Sequence, residues 1–309
     1  MRTILVTGGA GYLGSLLLPM LLKNNKVILY DNFLYGFDPI LYFAENKNLQ
    51  IVKDDVRNIS SLKEFVKKAD DIVHLAAIVG YPACATDVVR AKSINVGGTK
   101  NVVKLISKDQ NLIFASTGST YGRVQDIATE ETSIEPLTLY GKTKAAAEDL
   151  CMNSKSQNVA LRFATVFGIS PRMRLDLLVN NLMYDAIHLK QLVIYEGEFK
   201  RTFIHNSDAV RSIIFCLNNF KKLKNQVYNI GDNKMNYKKI EIAKLIQKHT
   251  NCFIYDSKHG TDLDQRDYEV SYKKINQKGF KCEVFLDSVM NNMLKVISNM
   301  KINHQWSNV

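Results

Sequence analysis

Thr7-Gly8-Gly9-Ala10-Gly11-Tyr12-Leu13-Gly14 is the stretch that decides the fold. It follows a short β-branched run, Arg2 to Thr7, and leads into Tyr12 to Lys23, which reads as a helix. Glycines at these spacings permit a tight turn, close approach of backbone to a pyrophosphate, and close helix–strand packing. The first turn of the helix adds oriented N–H groups and a partial positive charge. A lone G-x-G-x-x-G carries little weight, but its place between a strand and a helix supports it here. Lys26 to Tyr30 reads as the next strand, and Asp31 closes it, 17 positions after Gly14. A carboxylate there accepts hydrogen bonds from the adenine-ribose hydroxyls and repels a 2′-phosphate, which favours NAD over NADP. Asp55, in Asp54-Asp55-Val56-Arg57, follows the third strand and is placed to reach the adenine edge.

Outward from this unit the alternation continues. Strands are expected near 49–53, 71–76, 111–115 and 158–163, with helical patterns near 59–68, 84–107 and 140–154. Nearly continuous apolar strands such as Asp71-Ile72-Val73-His74-Leu75-Ala76 imply a parallel sheet covered on both faces. The fold class is therefore α/β, a doubly wound Rossmann sheet whose ligand crevice lies beyond the carboxyl ends of the strands. After about residue 165 the rhythm becomes irregular. A loop and helix near 168–189 and a strand near 191–195 precede a strand–helix unit (203–218) and a strand (226–230) that look like additions to the sheet. Residues from about 231 are helix-rich. The expected organisation is a dinucleotide-binding domain of residues 1–165 plus about 203–230. Residues 166–202 and 231–309 would form a smaller interleaved substrate lobe.

Composition narrows the class. No window approaches the roughly 18 uninterrupted apolar residues of a membrane helix, and Ile4-Leu5-Val6 is too short for a signal peptide core, so a cytoplasmic protein is expected. The five cysteines (84, 151, 216, 252 and 282) are scattered and odd in number, which argues against a disulfide framework. With six histidines at no ligand-like spacing, no metal is expected. The net charge of +11 comes from dispersed lysines without an aromatic-laced basic stripe, so no nucleic-acid partner is expected.

The chemistry is carried by two motifs. Tyr140-Gly141-Lys142-Thr143-Lys144 opens an alanine-rich helix and puts Tyr140 and Lys144 on one face. Ser116-Thr117-Gly118-Ser119-Thr120-Tyr121-Gly122 ends the fifth strand and brings hydroxyls to the crevice. Oxidising an alcohol needs a base for the hydroxyl proton and an acceptor for the hydride. A free tyrosine, with a pKa of about 10, is a poor base at neutral pH. A unit charge about 4 Å away at an effective dielectric of ~20 contributes roughly 4 kcal/mol. That is about what a three-unit shift needs, before the desolvation of the phenolate is subtracted. Lys144 and an oxidised nicotinamide would supply such charges, and Thr117 would hydrogen-bond the substrate oxygen.

With these motifs the chain resembles the extended short-chain dehydrogenase/reductases that modify nucleotide sugars. Further matches are Asp31-Asn32, Asp55-Val56, His74-Leu75-Ala76-Ala77, Asn95-Val96-Gly97-Gly98-Thr99, Leu161-Arg162-Phe163, Arg201-Thr202-Phe203-Ile204-His205 and Asp264-Gln265-Arg266-Asp267-Tyr268-Glu269-Val270. The resemblance implies that Tyr140 is the base, assisted by Lys144 and Thr117. It implies an NAD site from Gly8, Gly11, Tyr12, Leu13, Gly14, Asp31, Asn32, Asp55 and Val56, completed by Leu75, Ala76, Ala77, Asn95 and Phe163. Arg201 and Arg266 would hold the diphosphate of a GDP- or UDP-linked sugar, as arginine forks suit phosphate oxygens. Arg172, Arg174 and Asn180 are further candidates, Val79 and Gly80 lie where the sugar should sit, and Thr165 stands where family members often have Asn. A homodimer through helices at roughly 84–107 and 140–154 is implied.

The family's 4,6-dehydratases carry Asp-Glu directly after the catalytic Ser or Thr. Here Gly118-Ser119 stands instead, which disfavours dehydration. The expected reaction is oxidation of a hexose or heptose hydroxyl at C4, as a net dehydrogenase or the first half of a 4-epimerase, in surface-polysaccharide precursor synthesis. A UDP-glucuronate decarboxylase-like enzyme and a non-catalytic NAD-binding sensor are the alternatives.

Overall fold

The computed structural model describes residues 1–257, 260, 265–301 and 307–308; Asp264 of the late motif lies outside them. Five strands come first: β1 (Thr3–Thr7), β2 (Lys26–Asp31), β3 (Leu49–Lys53), β4 (Asp71–His74) and β5 (Asn111–Thr117). β6 (Arg123–Ala128) leaves their plane, β7 (Gln157–Phe163) returns to it, and β8 (Thr165–Phe167), β9 (Gln191–Tyr195) and β10 (Lys200–His205) leave again. The last are β11 (Gln226–Ile230), β12 (Asn236–Lys238), β13 (Phe253–Ser257) and β14 (Asp267–Val270). Seven of them make one sheet in the order β11-β7-β5-β4-β1-β2-β3, and every pair in it is parallel. The chain winds one way from β1 to β3 and the other way from β4 onward. The gap beyond β1 and β4 is thus the switch point where such sheets open a crevice.

Strand alternation builds a core on each face. Ile4 and Val6 of β1 join Leu17, Leu18 and Ile213 on one side, while Leu5 joins Leu62, Val66 and Val102 on the other. A third cluster, with Met183, Ile246 and Met290 at its centre, belongs to the later part of the chain. No helix among the described residues is long and apolar enough to cross a membrane.

Three expectations need correction. The helix expected over 84–107 is broken into Tyr81–Thr86, Val88–Lys92, a π-turn at Ser93–Gly98, and Thr99–Leu105. The break falls at Asp87, whose carboxylate accepts from the Arg90 N–H at 2.8 Å and starts a new helix. The strand near 203 does not extend the main sheet: β10 pairs with β8 and β12 in a separate three-stranded sheet. Only its following helix, Asn206–Asn218, packs on the main sheet, through Ala209, Val210 and Ile213. The region after 231 is less purely helical than expected, since β12, β13 and β14 pair with β10, β9 and β6.

Candidate active site

The glycine turn closes the cleft on the cofactor side. Gly8 has φ +73°, and a Cβ there would stand 2.6 Å from the Ala76 backbone nitrogen, so only glycine lets the β1 and β4 loops approach. At Gly11 an added Cβ would meet only the Gly8 carbonyl, at 3.2 Å. Asp31 accepts from the Ala10 N–H at 2.9 Å and the Phe33 N–H at 2.8 Å. Burial pushes its carboxyl pKa up, and those two donors oppose the rise. Asp55 is gripped by Arg57 Nε at 2.9 Å and Nη2 at 2.8 Å, which hold its carboxyl below the usual range. Gly8, Gly11, Tyr12, Leu13 and Gly14 wall the cleft with Asp31, Asn32, Asp55 and Val56. Leu75, Ala76, Ala77 and Phe163 complete that side.

Beneath the turn, buried His74 contacts Thr7 Oγ1 through Nδ1 at 2.6 Å and Thr99 Oγ1 through Nε2 at 3.0 Å. The Thr99 hydroxyl donates to the Asn95 carbonyl, so it accepts from Nε2–H, and Nδ1 accepts from Thr7. Burial pushes His74 down to about 3, keeping it neutral. Asn95 is not among the described residues that wall the cleft. Its amide holds both backbone groups of Ile78, at 2.7 and 3.0 Å, and the Thr143 hydroxyl. It shapes the cofactor loop from behind.

Tyr140, Lys144 and Thr117 all reach the same cleft. Thr138 caps the helix Leu139–Met152 by accepting from the Gly141 N–H at 3.1 Å, which puts Tyr140 in the first turn. A side chain at Gly141 would stand 2.9 Å from the Ser119 carbonyl, so glycine lets that turn press against the end of β5. Behind it, Ser116 donates to Glu148 at 2.5 Å, and Glu148 pairs with Arg162 at 2.6 Å. Arg162 donates to the Tyr121 hydroxyl, which donates to Asn229. Burial pushes the Tyr140 phenol up to about 12; the Arg174 guanidinium is the largest influence pulling it down, followed by the Thr117 hydroxyl and Arg266. Lys144 lies 4.1 Å above the Phe114 ring centre, and burial lowers it to about 8.

On the opposite side stand Val79, Gly80, Thr165, Arg172 and Arg266. Arg266 donates to Ser119, which also accepts from Thr117 at 3.0 Å. Arg174 pairs with Asp176. Asn180 and Arg201 are not among the described residues that wall the cleft. The Asn180 amide accepts from Gly168 N–H at 3.0 Å and donates to the Arg174 carbonyl at 2.8 Å, so it shapes the arginine-bearing loop. Arg201 is buried on β10, with Nη1 on the Lys200 carbonyl. Residues that sequence reasoning missed include Tyr35, in the turn after Asp31, and Asn308, which no motif marks. This side is braced to the glycine turn. Tyr12 Oη donates to the Gly168 carbonyl at 2.6 Å, and Ser170 Oγ donates to the Tyr12 carbonyl at 2.8 Å.

The family model described as the NAD dependent epimerase/dehydratase family matches residues 4–231. YtcB of Bacillus subtilis (strain 168), named an uncharacterized UDP-glucose epimerase, is 33% identical over 251 residues, 74% of this chain and 76% of the relative. A UDP-N-acetyl-alpha-D-glucosaminuronate decarboxylase of Bacillus cytotoxicus is 29% identical, over 74% of this chain and 75% of its own length. Among solved structures, UDP-glucuronic acid 4-epimerase from Bacillus cereus, in complex with UDP-glucuronic acid and NAD, superposes with a TM-score of 0.86. It is 26% identical, over 96% of this chain and 98% of that one. The chain belongs to the NAD dependent epimerase/dehydratase family, among the extended short-chain dehydrogenase/reductases that act on nucleotide sugars.

Proposed function

We propose that this chain uses NAD to oxidise the C4 hydroxyl of a UDP-linked hexose or hexuronate, and that epimerisation at that carbon is the net reaction. The observation that carries the reading is that Tyr140 and Thr117 share one cleft with the glycine turn and Asp31. The residues fit a dinucleotide. Gly11 leaves its side of the turn open, and Asp31 keeps a carboxylate at the strand end where the ribose hydroxyls would lie. When bound, NAD supplies the acceptor for the hydride.

The chain's own residues do the rest. Tyr140 takes the proton from the sugar hydroxyl and returns it after the sugar has turned over. Thr117, whose hydroxyl donates to Ser119 before substrate arrives, turns that proton to the reacting oxygen, and Arg266 holds Ser119 in place. Arg174 and Arg266 offset part of the cost of a buried phenolate, and Lys144, in the same cleft, and an oxidised nicotinamide would add to them. Gly118 and Ser119 offer no strong acid for the elimination of water, which supports epimerisation over 4,6-dehydration. A second reading, decarboxylation of a UDP-uronate after the same oxidation, is favoured by the decarboxylase relative. The proposal includes a homodimer through the helices at 81–105 and 139–152, where Val88 and Val89 are exposed.

The test is incubation with UDP- and GDP-linked sugars, following the absorbance of reduced nicotinamide and identifying products by NMR. An inverted sugar without net reduction is the expected result. A shortened sugar with released carbon dioxide would establish the decarboxylase. An accumulating ketosugar with reduced nicotinamide would make it a net dehydrogenase. No turnover of any sugar would leave the sensor reading.

A further inference from the structure

The substrate end of the cleft is unbalanced in charge. Arg172 and Arg174 are 2% and 6% exposed, and among the described residues Asp176 forms its ion pair with Arg174. The acceptors that Arg172 meets among the described residues are neutral: the Met173 carbonyl at 2.9 Å from Nη1, and Asn308 Oδ1 at 2.7 Å and the Ser307 carbonyl at 3.3 Å from Nη2. Among the described residues, its Nε is a buried donor without an acceptor. A buried cation of this kind is costly unless an anion meets it. A guanidinium is best satisfied by two oxygens of one anion along a single edge. The Tyr35 ring lies 3.9 Å from the guanidinium carbon, and with Nη1 on the Met173 carbonyl the Nε/Nη2 edge is the one on offer. Ser307 and Asn308 occupy the Nη2 end of that edge. Asn308 also spans the cleft: Nδ2 donates to the Val79 carbonyl at 2.8 Å, and its backbone N–H donates to Asp176 at 3.3 Å.

We propose that Ser307 and Asn308 form a displaceable latch that holds the Nη2 donor of Arg172 and yields the Nε/Nη2 edge to the phosphate oxygens of a nucleotide ligand. The latch rests on the reading of the cleft as a nucleotide site, and it adds a control on entry that the reaction itself does not require. The phosphate can come from NAD or from the nucleotide sugar, and the test separates them.

Calorimetric titration of the full chain with NAD, UDP and inorganic pyrophosphate compares the wild type with Asn308→Asp, Asn308→Ala and Asn308→Gln. The aspartate supplies a competing anion on the same edge, so binding of the phosphate ligand should weaken by about tenfold. The alanine should tighten it a few-fold, and the glutamine, which keeps the amide, should stay near wild type. Arg172→Met should remove the difference between Asn308→Asp and the wild type. Whichever of NAD and UDP responds is the one that takes the edge. Equal binding by all variants, or equal weakening by aspartate and alanine in proteins that melt like the wild type, would overturn the latch alone. A wild type that binds neither NAD nor UDP would overturn both the latch and the proposed function.

Discussion

The two sides of the cleft are built on different plans. The cofactor side is backbone: a glycine turn, N–H groups on Asp31, and a loop held by Asn95, nearly all within short stretches of sequence. The opposite side is made of side chains drawn from positions 79, 117, 140, 172, 266 and 308. Backbone geometry is set by local residue type, whereas side-chain geometry depends on distant partners. The first should therefore tolerate remote substitutions that disable the second.

Tyr140→Phe gives the largest separation. It should lower kcat by roughly 10² to 10⁴-fold while NAD binding, measured by titration, stays near wild type; intact turnover would remove the catalytic assignment. Glu148→Ala comes next. It leaves Arg162 buried without its partner and should cost about 3–5 kcal/mol in a urea melt, because the end of β5 depends on that pair.

Lys144→Met should do the opposite to stability. The lysine pKa falls from 10.5 to about 8 on folding, so the unfolded chain holds the proton more tightly. The wild type therefore gains stability from this group as pH rises from about 8 to 10.5 and lacks it below. At pH 7 the variant should be more stable by about 3 kcal/mol, a gain that vanishes above pH 10.5, while activity is lost. A pH-independent difference in melting would show that Lys144 is not charged against its surroundings. The smallest effect is expected for Asp31→Asn, which removes the charge that repels a 2′-phosphate. The preference for NAD over NADP should shrink by about tenfold, roughly 1.4 kcal/mol, in a comparison of the two dissociation constants.

The same contrast explains what could be read from the sequence. Gly8 to Gly14, Asp31 and the helix Ile59–Lys68 follow from local rules of turn, charge and period, and the structure places them as expected. Asp87 broke a long apolar pattern because a single capping carboxylate outweighs periodicity over one turn. Asn180 and Arg201 stand outside the described wall of the cleft for a different reason. Whether a helix or strand residue faces the cleft depends on packing partners far away, here the Gly168 loop and the β8–β10–β12 sheet. Asn308 had no signal at all, since its position follows from folding back on residues 79, 172 and 176.

The brace between Tyr12 and Gly168, with Ser170 returning the bond, joins the seat of the dinucleotide to the loop that carries Arg172 and Arg174. A ligand that shifts this brace on binding changes the affinity for whatever rests at its other end. Whatever factor the first ligand contributes to the affinity of the second, the second must return to the first. The order in which they arrive is then a matter of kinetics alone.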